Sequence, residues 1–258
     1  MYYYAMKTIL ITAGGTAEPI DNIRSITNTG TGMLGSLIAD RFAQEPEVER
    51  IIYVHGHRSV LPKTEKAICI EAAHTKLLQE TIRKVCAEYH PDAIIHSMAI
   101  SDFTVASVVR LEEIERIHKT AEVGAQYYEM EYEDALIETA KNGDLRNEFA
   151  KIPSSVGNPV IFLEPTPKII PELRKLAPDA VIVGFKLLDE VSHDELMDVA
   201  KRLMEKNDCD FVLANDYQTV QAGASSHVGH LMARGGSVES FVGKEAIADG
   251  IVRAVMAL

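Results

Sequence analysis

The sequence predicts an α/β fold: a doubly wound, mainly parallel sheet with helices on both faces and an antiparallel excursion. Three observations predict it. Short apolar runs rich in β-branched residues alternate with stretches of helical spacing. The first of these runs stops at a glycine pair, Gly14-Gly15. The alternation lapses once, in a charged stretch after Phe103, and then resumes. With 258 residues and a hydrophobic share of 47%, the chain has enough apolar surface for one large domain. We expect a single domain over residues 1–258, with the excursion, a flap, at about 103–163.

The elements follow in order. Thr8–Thr12 is apolar, β-branched and too short for a stable helix, so it reads as a buried strand. It ends at Ala13-Gly14-Gly15-Thr16. A second small-residue cluster, Asn28-Thr29-Gly30-Thr31-Gly32, precedes a helical run from Met33 to about Ala43. Strand, glycine loops and helix together are how such folds bring backbone N–H groups to a phosphate. Two tight turns without a ligand leave the same trace, and neither GxGxxG nor the Walker A pattern is present. Arg50–His55 and Ala67–Ile70 read as strands. His74–Tyr89 is a helix, on the spacing of Leu77, Leu78, Ile82 and Val85. Asp92–Ala99 is a buried strand ending at Ile100–Phe103.

Leu111–Ala150 contains no strong strand, and its acidic residues (Glu129, Glu131, Glu133) read as a solvated face. Pro159–Leu163 is a strand. Thr166-Pro167 is read as the start of a helix, with proline at its first position, running to about Leu176. Ala180–Phe185 is a strand, His193–Lys206 an amphipathic helix, and Asp210–Ala214 a strand ending at Asn215-Asp216. Val228–Met232 and Val238–Val242 flank Arg234-Gly235-Gly236 as a hairpin, and Lys244–Ala257 closes the chain as a helix.

Composition removes several function classes. The net charge of −12, from 26 basic and 38 acidic residues, gives no global positive field for nucleic acid or a membrane surface. A local basic pocket for a small phosphorylated ligand stays compatible with it. No apolar run approaches about 18 residues, and MYYYAM is not a signal sequence, so a cytoplasmic protein is expected. Met6 is an alternative start, and the first five residues receive no structural weight. Cys69, Cys86 and Cys209 form no CxxC pair and read as buried, reduced thiols. The nine histidines are read as forming no HxxxH or HxH pair, and no transition-metal site is expected. No GxSxG elbow or Cys/His pairing suggests covalent catalysis.

Four apolar strands end in glycine or polar residues: Gly14-Gly15, Ser101-Asp102, Phe185-Lys186 and Asn215-Asp216. In a parallel sheet these ends line one edge, where ligands bind at the switch point of strand order. Each residue also has a simpler reading. Asp102 and Asn28 can cap turns, Asn215 and Asp216 can form an Asx-turn, and Lys151 and Lys186 can face solvent. His96, inside an apolar strand, is either a base or a hydrogen-bonded core histidine.

The segment ITAGGTAEPIDNIRSITNTGTGMLG resembles the opening signature of the phosphopantothenate–cysteine ligases, the phosphopantothenoylcysteine synthetases of coenzyme A biosynthesis. HSMAISDF, AKIPSS, TPKII, VGFKLLDE and FVLANDYQTV follow in the family's order and extend the resemblance over nearly the whole chain. Many bacterial members are fused behind a flavin-dependent decarboxylase; this chain resembles the stand-alone type. The family's Ser-Ser-Gly-Lys-Met-Gly is Thr-Gly-Thr-Gly-Met-Leu-Gly here, without the lysine.

The resemblance implies a Rossmann-like fold, a homodimer, and the substrates 4′-phosphopantothenate and L-cysteine. It also implies a nucleoside triphosphate cosubstrate, CTP or ATP, with Mg²⁺. By the same resemblance, Gly14 and Gly15 approach the nucleotide phosphates. Asn28 contacts the substrate carboxylate and the acyl intermediate, and Arg24, a basic position just before it, is a further substrate-binding residue, as are Ala99 and Lys151. Met98, Ala99 and Asp102 contact the acyl-nucleotide. Lys151 is the flexible-loop lysine needed for chemistry. Pro167, Lys168, Ile169, Ile170 and Phe185 match nucleotide-contacting positions, and Arg202 and Lys206 match basic helix positions near the triphosphate. Two other classes compete: an NAD(P)-dependent oxidoreductase, which would need the missing GxGxxG and a Tyr-x-x-x-Lys pair, and a non-catalytic nucleotide-sensing protein.

Overall fold

The computed structural model describes residues 6–221, 223 and 225–258; the first five residues lie outside it. In chain order the elements are β1 (Lys7–Ala13), β2 (Ala17–Pro19), β3 (Ser25–Thr27), α1 (Met33–Phe42), β4 (Val48–His55), β5 (Ala67–Glu71) and α2 (Thr75–Tyr89). Then come β6 (Ala93–His96), β7 (Phe103–Arg110), α3 (Ile114–Tyr128), α4 (Tyr132–Asn142), β8 (Pro159–Pro165) and α5 (Ile170–Leu176). The chain closes with β9 (Val181–Leu188), α6 (His193–Asn207), β10 (Phe211–Asp216), α7 (Tyr217–Gln221), β11 (Val228–Ala233), β12 (Val238–Val242) and α8 (Lys244–Met256). Two compact units result. Among the described residues, the first holds those within 6–16, 29–100 and 168–258; the second holds Ala17–Asn28 and Ser101–Pro167.

The first unit is built on one sheet of order β12-β11-β10-β9-β6-β1-β4-β5. Strands β5 to β10 along this order are parallel, and β11 and β12 add an antiparallel edge. Strand β1 is buried on both faces, which is why its sequence is a continuous apolar run rather than an alternating one. Leu10 packs on one side with Ile52, Ile94, Leu78 and Leu173. Ile9 and Ile11 pack on the other with Ile38, Phe42, Ile247 and Ile251. Helices therefore cover both faces, and the order reverses between β1 and β6, which is a topological switch point.

The second unit joins a short β2–β3 hairpin to the long antiparallel pair β7–β8. Helices α3 and α4 also belong to it, in the stretch the sequence leaves without elements. Its glutamates hide a narrow apolar stripe: Ile117 and Ala121 of α3 and Ala140 of α4 are buried, and the charged residues occupy the remaining faces. Ile117 and Ala140 pack with Val109, Val160 and Phe162 of the strands.

Two further expectations change. Thr166-Pro167 does not open a helix. Thr166 is held by backbone and hydroxyl hydrogen bonds to the carbonyls of Asp102 (3.0 Å) and Ser101 (2.5 Å), and the helix begins at Ile170 with Pro171 in its first turn. Cys69 is exposed, because β5 is the edge strand of the sheet; Cys86 and Cys209 are buried. Burial pushes both of those thiols up to about 11.

Candidate active site

In the first unit the sequence-predicted residues at the switch point do come together. Chain leaves β1 at Gly14 and β6 at Ser97, and the two exits run side by side. Ala99 N–H donates to Gly14 O (2.8 Å), Thr16 N–H donates to Ala99 O (3.1 Å), and Gly15 pairs with Ala99 in parallel register. Gly14 has φ +88°, in the left-handed region, and a Cβ there would lie 1.8 Å from Ser59 Oγ. Gly30 lies against the same carbonyl: a Cβ on it would be 2.7 Å from Gly14 O and 3.0 Å from Ala99 Cβ. The spacing of small residues is thus explained by backbone packed directly on backbone. Helix α1 starts three residues after Gly30, and its N-terminus adds partial positive charge.

Around this loop several polar groups are paired, while Ser59 Oγ beside Gly14 is buried without a hydrogen-bond partner. Thr12 Oγ1 lies 2.9 Å from His96 Nδ1, and Met98 N–H points at the same oxygen (3.4 Å). Burial lowers His96 to about 4, so at neutral pH it is an uncharged, hydrogen-bonded core histidine. Ile169 is buried in the core, while Lys168 and Ile170 flank it at the start of α5. Phe185 and Lys186 lie within β9, which runs on to Leu188, and not at its end. Asp216 ends β10 and accepts from Gln218 N–H (3.0 Å), which is the turn-forming role. Asn215 Oδ1 meets His227 Nε2 at 2.8 Å in the interior, and burial lowers His227 to about 4. No spacing in the sequence signalled that pair.

Arg202 and Lys206 are placed elsewhere. Helix α6 runs antiparallel to the strands it connects, so its first residue, His193, starts at the edge carrying the glycine loops. Lys206 lies 13 residues farther on, about 20 Å along the axis at 1.5 Å per residue. Beside that far end Arg174 and Arg234 bind Asp208 and Asp210, where β10 begins. The fold of this unit does not bring Arg202 and Lys206 to Gly14 and Gly15.

In the second unit a buried carboxylate organises the candidate residues. Asp21 lies in the turn between β2 and β3, and its side chain is fully buried. Its Oδ1 accepts from the N–H groups of Ile23 (2.9 Å) and Arg24 (2.8 Å). Its Oδ2 accepts from the Arg24 guanidinium and from Ile152 N–H (3.1 Å). The Arg24 guanidinium, then these backbone donors, outweigh burial and hold the carboxyl well below the usual range. Arg24 Nη2 also donates to Ile152 O (2.8 Å), beside exposed Lys151. Asn28 is half-buried, directly after β3.

Asp102 and Pro167 are brought together at the open end of the β7–β8 pair, where Phe103 faces Pro165 and Thr166 binds Asp102 O. Asp144 forms a second clamp. Burial raises it, but hydrogen bonds from Arg146 and from the Arg146 and Val108 N–H groups prevail and its pKa is lowered. Both clamps escaped the sequence reading; the Asp-x-x-Arg spacing after Pro19-Ile20 was the available signal for the first. His55 and His57 do form an HxH pair, which corrects the expectation of none. His57 Nδ1 lies 3.1 Å from Glu71 and His55 Nδ1 3.0 Å from Gly56 O. Among the described residues, no three His, Cys, Asp or Glu side chains gather as a metal cage.

Comparison with known proteins bears on the whole chain. The sequence pattern of the family described as "DNA/pantothenate metabolism flavoprotein C-terminal domain" matches residues 4–124 and 112–258. The coenzyme A biosynthesis bifunctional protein CoaBC of Thermococcus kodakarensis is 30% identical over 210 residues, which are 81% of this chain and 41% of that protein. The protein of the same name from Methanocaldococcus jannaschii is 27% identical over 209 residues, 81% of this chain and 40% of that one. The chain spans about two fifths of the length of these relatives. Among solved structures, the DNA/pantothenate metabolism flavoprotein from Streptococcus pneumoniae superposes with a TM-score of 0.79 at 29% identity, covering 97% of this chain and 99% of that one. A CoaBC C-terminal domain shares the fold at 19% identity, with a TM-score of 0.66.

Proposed function

The chain belongs to the DNA/pantothenate metabolism flavoprotein C-terminal domain family, and from that premise we propose that it is a phosphopantothenate–cysteine ligase of coenzyme A biosynthesis. Its substrates in this reading are 4′-phosphopantothenate, L-cysteine and a nucleoside triphosphate, CTP or ATP. The observation that carries the reading is the backbone cradle of Gly14, Gly15 and Ala99 at the switch point of the sheet. Such a cradle admits a phosphate to main-chain N–H groups and offers no nucleophile of its own.

The chemistry needs none. A carboxylate oxygen of 4′-phosphopantothenate attacks the α-phosphorus, the bond to the β-phosphate oxygen breaks, and pyrophosphate leaves. The amine of cysteine then attacks the acyl carbon, loses a proton, and expels the nucleoside monophosphate with its bridging oxygen. The product is an amide. Both steps need positioning and stabilisation of developing negative charge. We assign the phosphates to Gly14 and Gly15 and the acyl-nucleotide to Met98, Ala99 and Asp102. Asn28 takes the substrate carboxylate and acyl oxygen, and Lys151 the charge developing in the reaction. Pro167, Lys168, Ile169, Ile170 and Phe185 are proposed along the nucleotide, Ile169 through its backbone because its side chain is core. The geometry of the first unit gives Arg202 and Lys206 no part in this proposal, and Arg24 is engaged by Asp21 and Ile152.

Mg²⁺ is proposed to arrive with the triphosphate, whose oxygens suit it, since the described residues offer no cage of their own. A homodimer is the proposed assembly. The test is pyrophosphate release by the purified protein with Mg²⁺ and either nucleotide. Release that depends on 4′-phosphopantothenate is expected; no release with CTP or ATP, beside an active control ligase, would overturn the proposal.

A further inference from the structure

Lys151 stands in a polar loop, and its resemblance to a flexible-loop lysine suggests free movement. The structure shows its neighbours tied down on both sides. Ala150 O accepts from Asn22 N–H (3.0 Å). Ile152 N–H donates to Asp21 Oδ2 (3.1 Å), and Ile152 O accepts from Arg24 Nη2 (2.8 Å). The Ile152 side chain is buried with Val105, Val108 and Leu145. Three bonds from four consecutive residues, Asp21 to Arg24, thus bracket a single exposed lysine. The carboxylate is the hub: it shapes the turn through Oδ1 and reaches across to Ile152 through Oδ2, while orienting the guanidinium that takes Ile152 O.

We infer that Asp21 is a positioning residue for Lys151, fixing through this strap the backbone from which the lysine's ammonium reaches the reacting groups. The inference rests on the ligase reading and deepens it. Arg24, matched by resemblance to a substrate-facing position, is here one arm of the same strap. A rigid backbone at Lys151 narrows the volume its four-carbon stem explores, and misplacement by about 1 Å is worth up to about a hundredfold in rate.

Asp21→Asn tests this directly. An amide keeps the shape but cannot accept at both positions and also face the guanidinium. The expected result is a kcat about 10- to 100-fold lower, with KM for the nucleotide changed by less than about threefold. The double variant Asp21→Asn/Lys151→Ala should be no slower than Lys151→Ala alone, because the aspartate acts through the lysine. Hydrogen exchange at the Ile152 amide should accelerate in Asp21→Asn. If Asp21→Asn fails to fold, Asp21→Ser keeps an acceptor for the turn and withdraws the one facing Ile152, and the same outcomes are expected of it. A kcat within about twofold of wild type, multiplicative losses in the double variant, or unchanged exchange at Ile152 would overturn the inference. An inactive wild-type protein would instead overturn the ligase reading itself.

Discussion

The two glycine-side and carboxylate-side halves of one short segment, residues 7–28, solve opposite problems. In the first unit, Gly14 and Gly15 work by having no side chain, so that backbone meets backbone beside Ala99. In the second unit, Asp21 works by burying an ionised side chain under five N–H donors. Four buried titratable groups, two in each unit, follow the same division. Those of the first unit, His96 and His227, are held neutral. Those of the second, Asp21 and Asp144, are held charged. In the proposed reading, a phosphate at the first needs room and oriented dipoles, whereas the lysine assigned to the second needs a fixed platform.

Removing the charge that the second unit presents should have the largest effect. Lys151→Ala is expected to lower product formation by about 10²–10³-fold, read by pyrophosphate release, with little change in melting temperature because the side chain is exposed. Filling the space that the first unit leaves open should come next. Gly14→Ala places a Cβ against Ser59 in a left-handed backbone and should cost about 1–3 kcal/mol of stability, read by chemical denaturation. An unchanged midpoint would show that the loop opens without cost.

Acid should separate the two units by pH window. His96 and His227 have folded values near 4 against an ordinary 6.5. The unfolded chain therefore binds more protons between these values, and their contribution is lost as pH falls from about 6.5 towards 4. Asp21 has a depressed value against an ordinary 3.8, so its contribution is present above that pH and is lost only below it. Melting temperatures followed from pH 7 downward should fall in both windows, and Asp21→Asn should flatten only the lower one. The smallest effect is expected from a surface pair: Lys141 reaches Glu138 (2.8 Å) and Glu164 (3.1 Å) at the exposed side of the second unit. Lys141→Ala should cost no more than about 1 kcal/mol.

Much of this was legible in the sequence, for reasons that differ by region. The first unit obeys local rules. Buried parallel strands read as apolar runs, and β1, β4, β6, β9 and β10 all lie within or close to the expected stretches. The cradle was legible because a close backbone approach leaves only glycine or alanine. The second unit was illegible where composition masked period: α3 and α4 bury so few residues that their glutamates dominate. The role of Asp21 was hidden because its partner, Ile152, is 131 residues away. Thr166-Pro167 misled because a proline before a helical spacing fits a helix start, while the true first-turn proline is Pro171. Lys206 matched a pattern of sequence, but the direction of α6 carries it to the opposite edge.

The most direct test of the ligase reading follows one oxygen atom. The protein is supplied with 4′-phosphopantothenate labelled with oxygen-18 in its carboxylate, together with L-cysteine, Mg²⁺ and CTP or ATP, and the nucleoside monophosphate is weighed by mass spectrometry. An acyl-nucleotide intermediate predicts one labelled oxygen transferred to the monophosphate for each amide formed. Amide formation with an unlabelled monophosphate, or no amide with either nucleotide, would contradict the account.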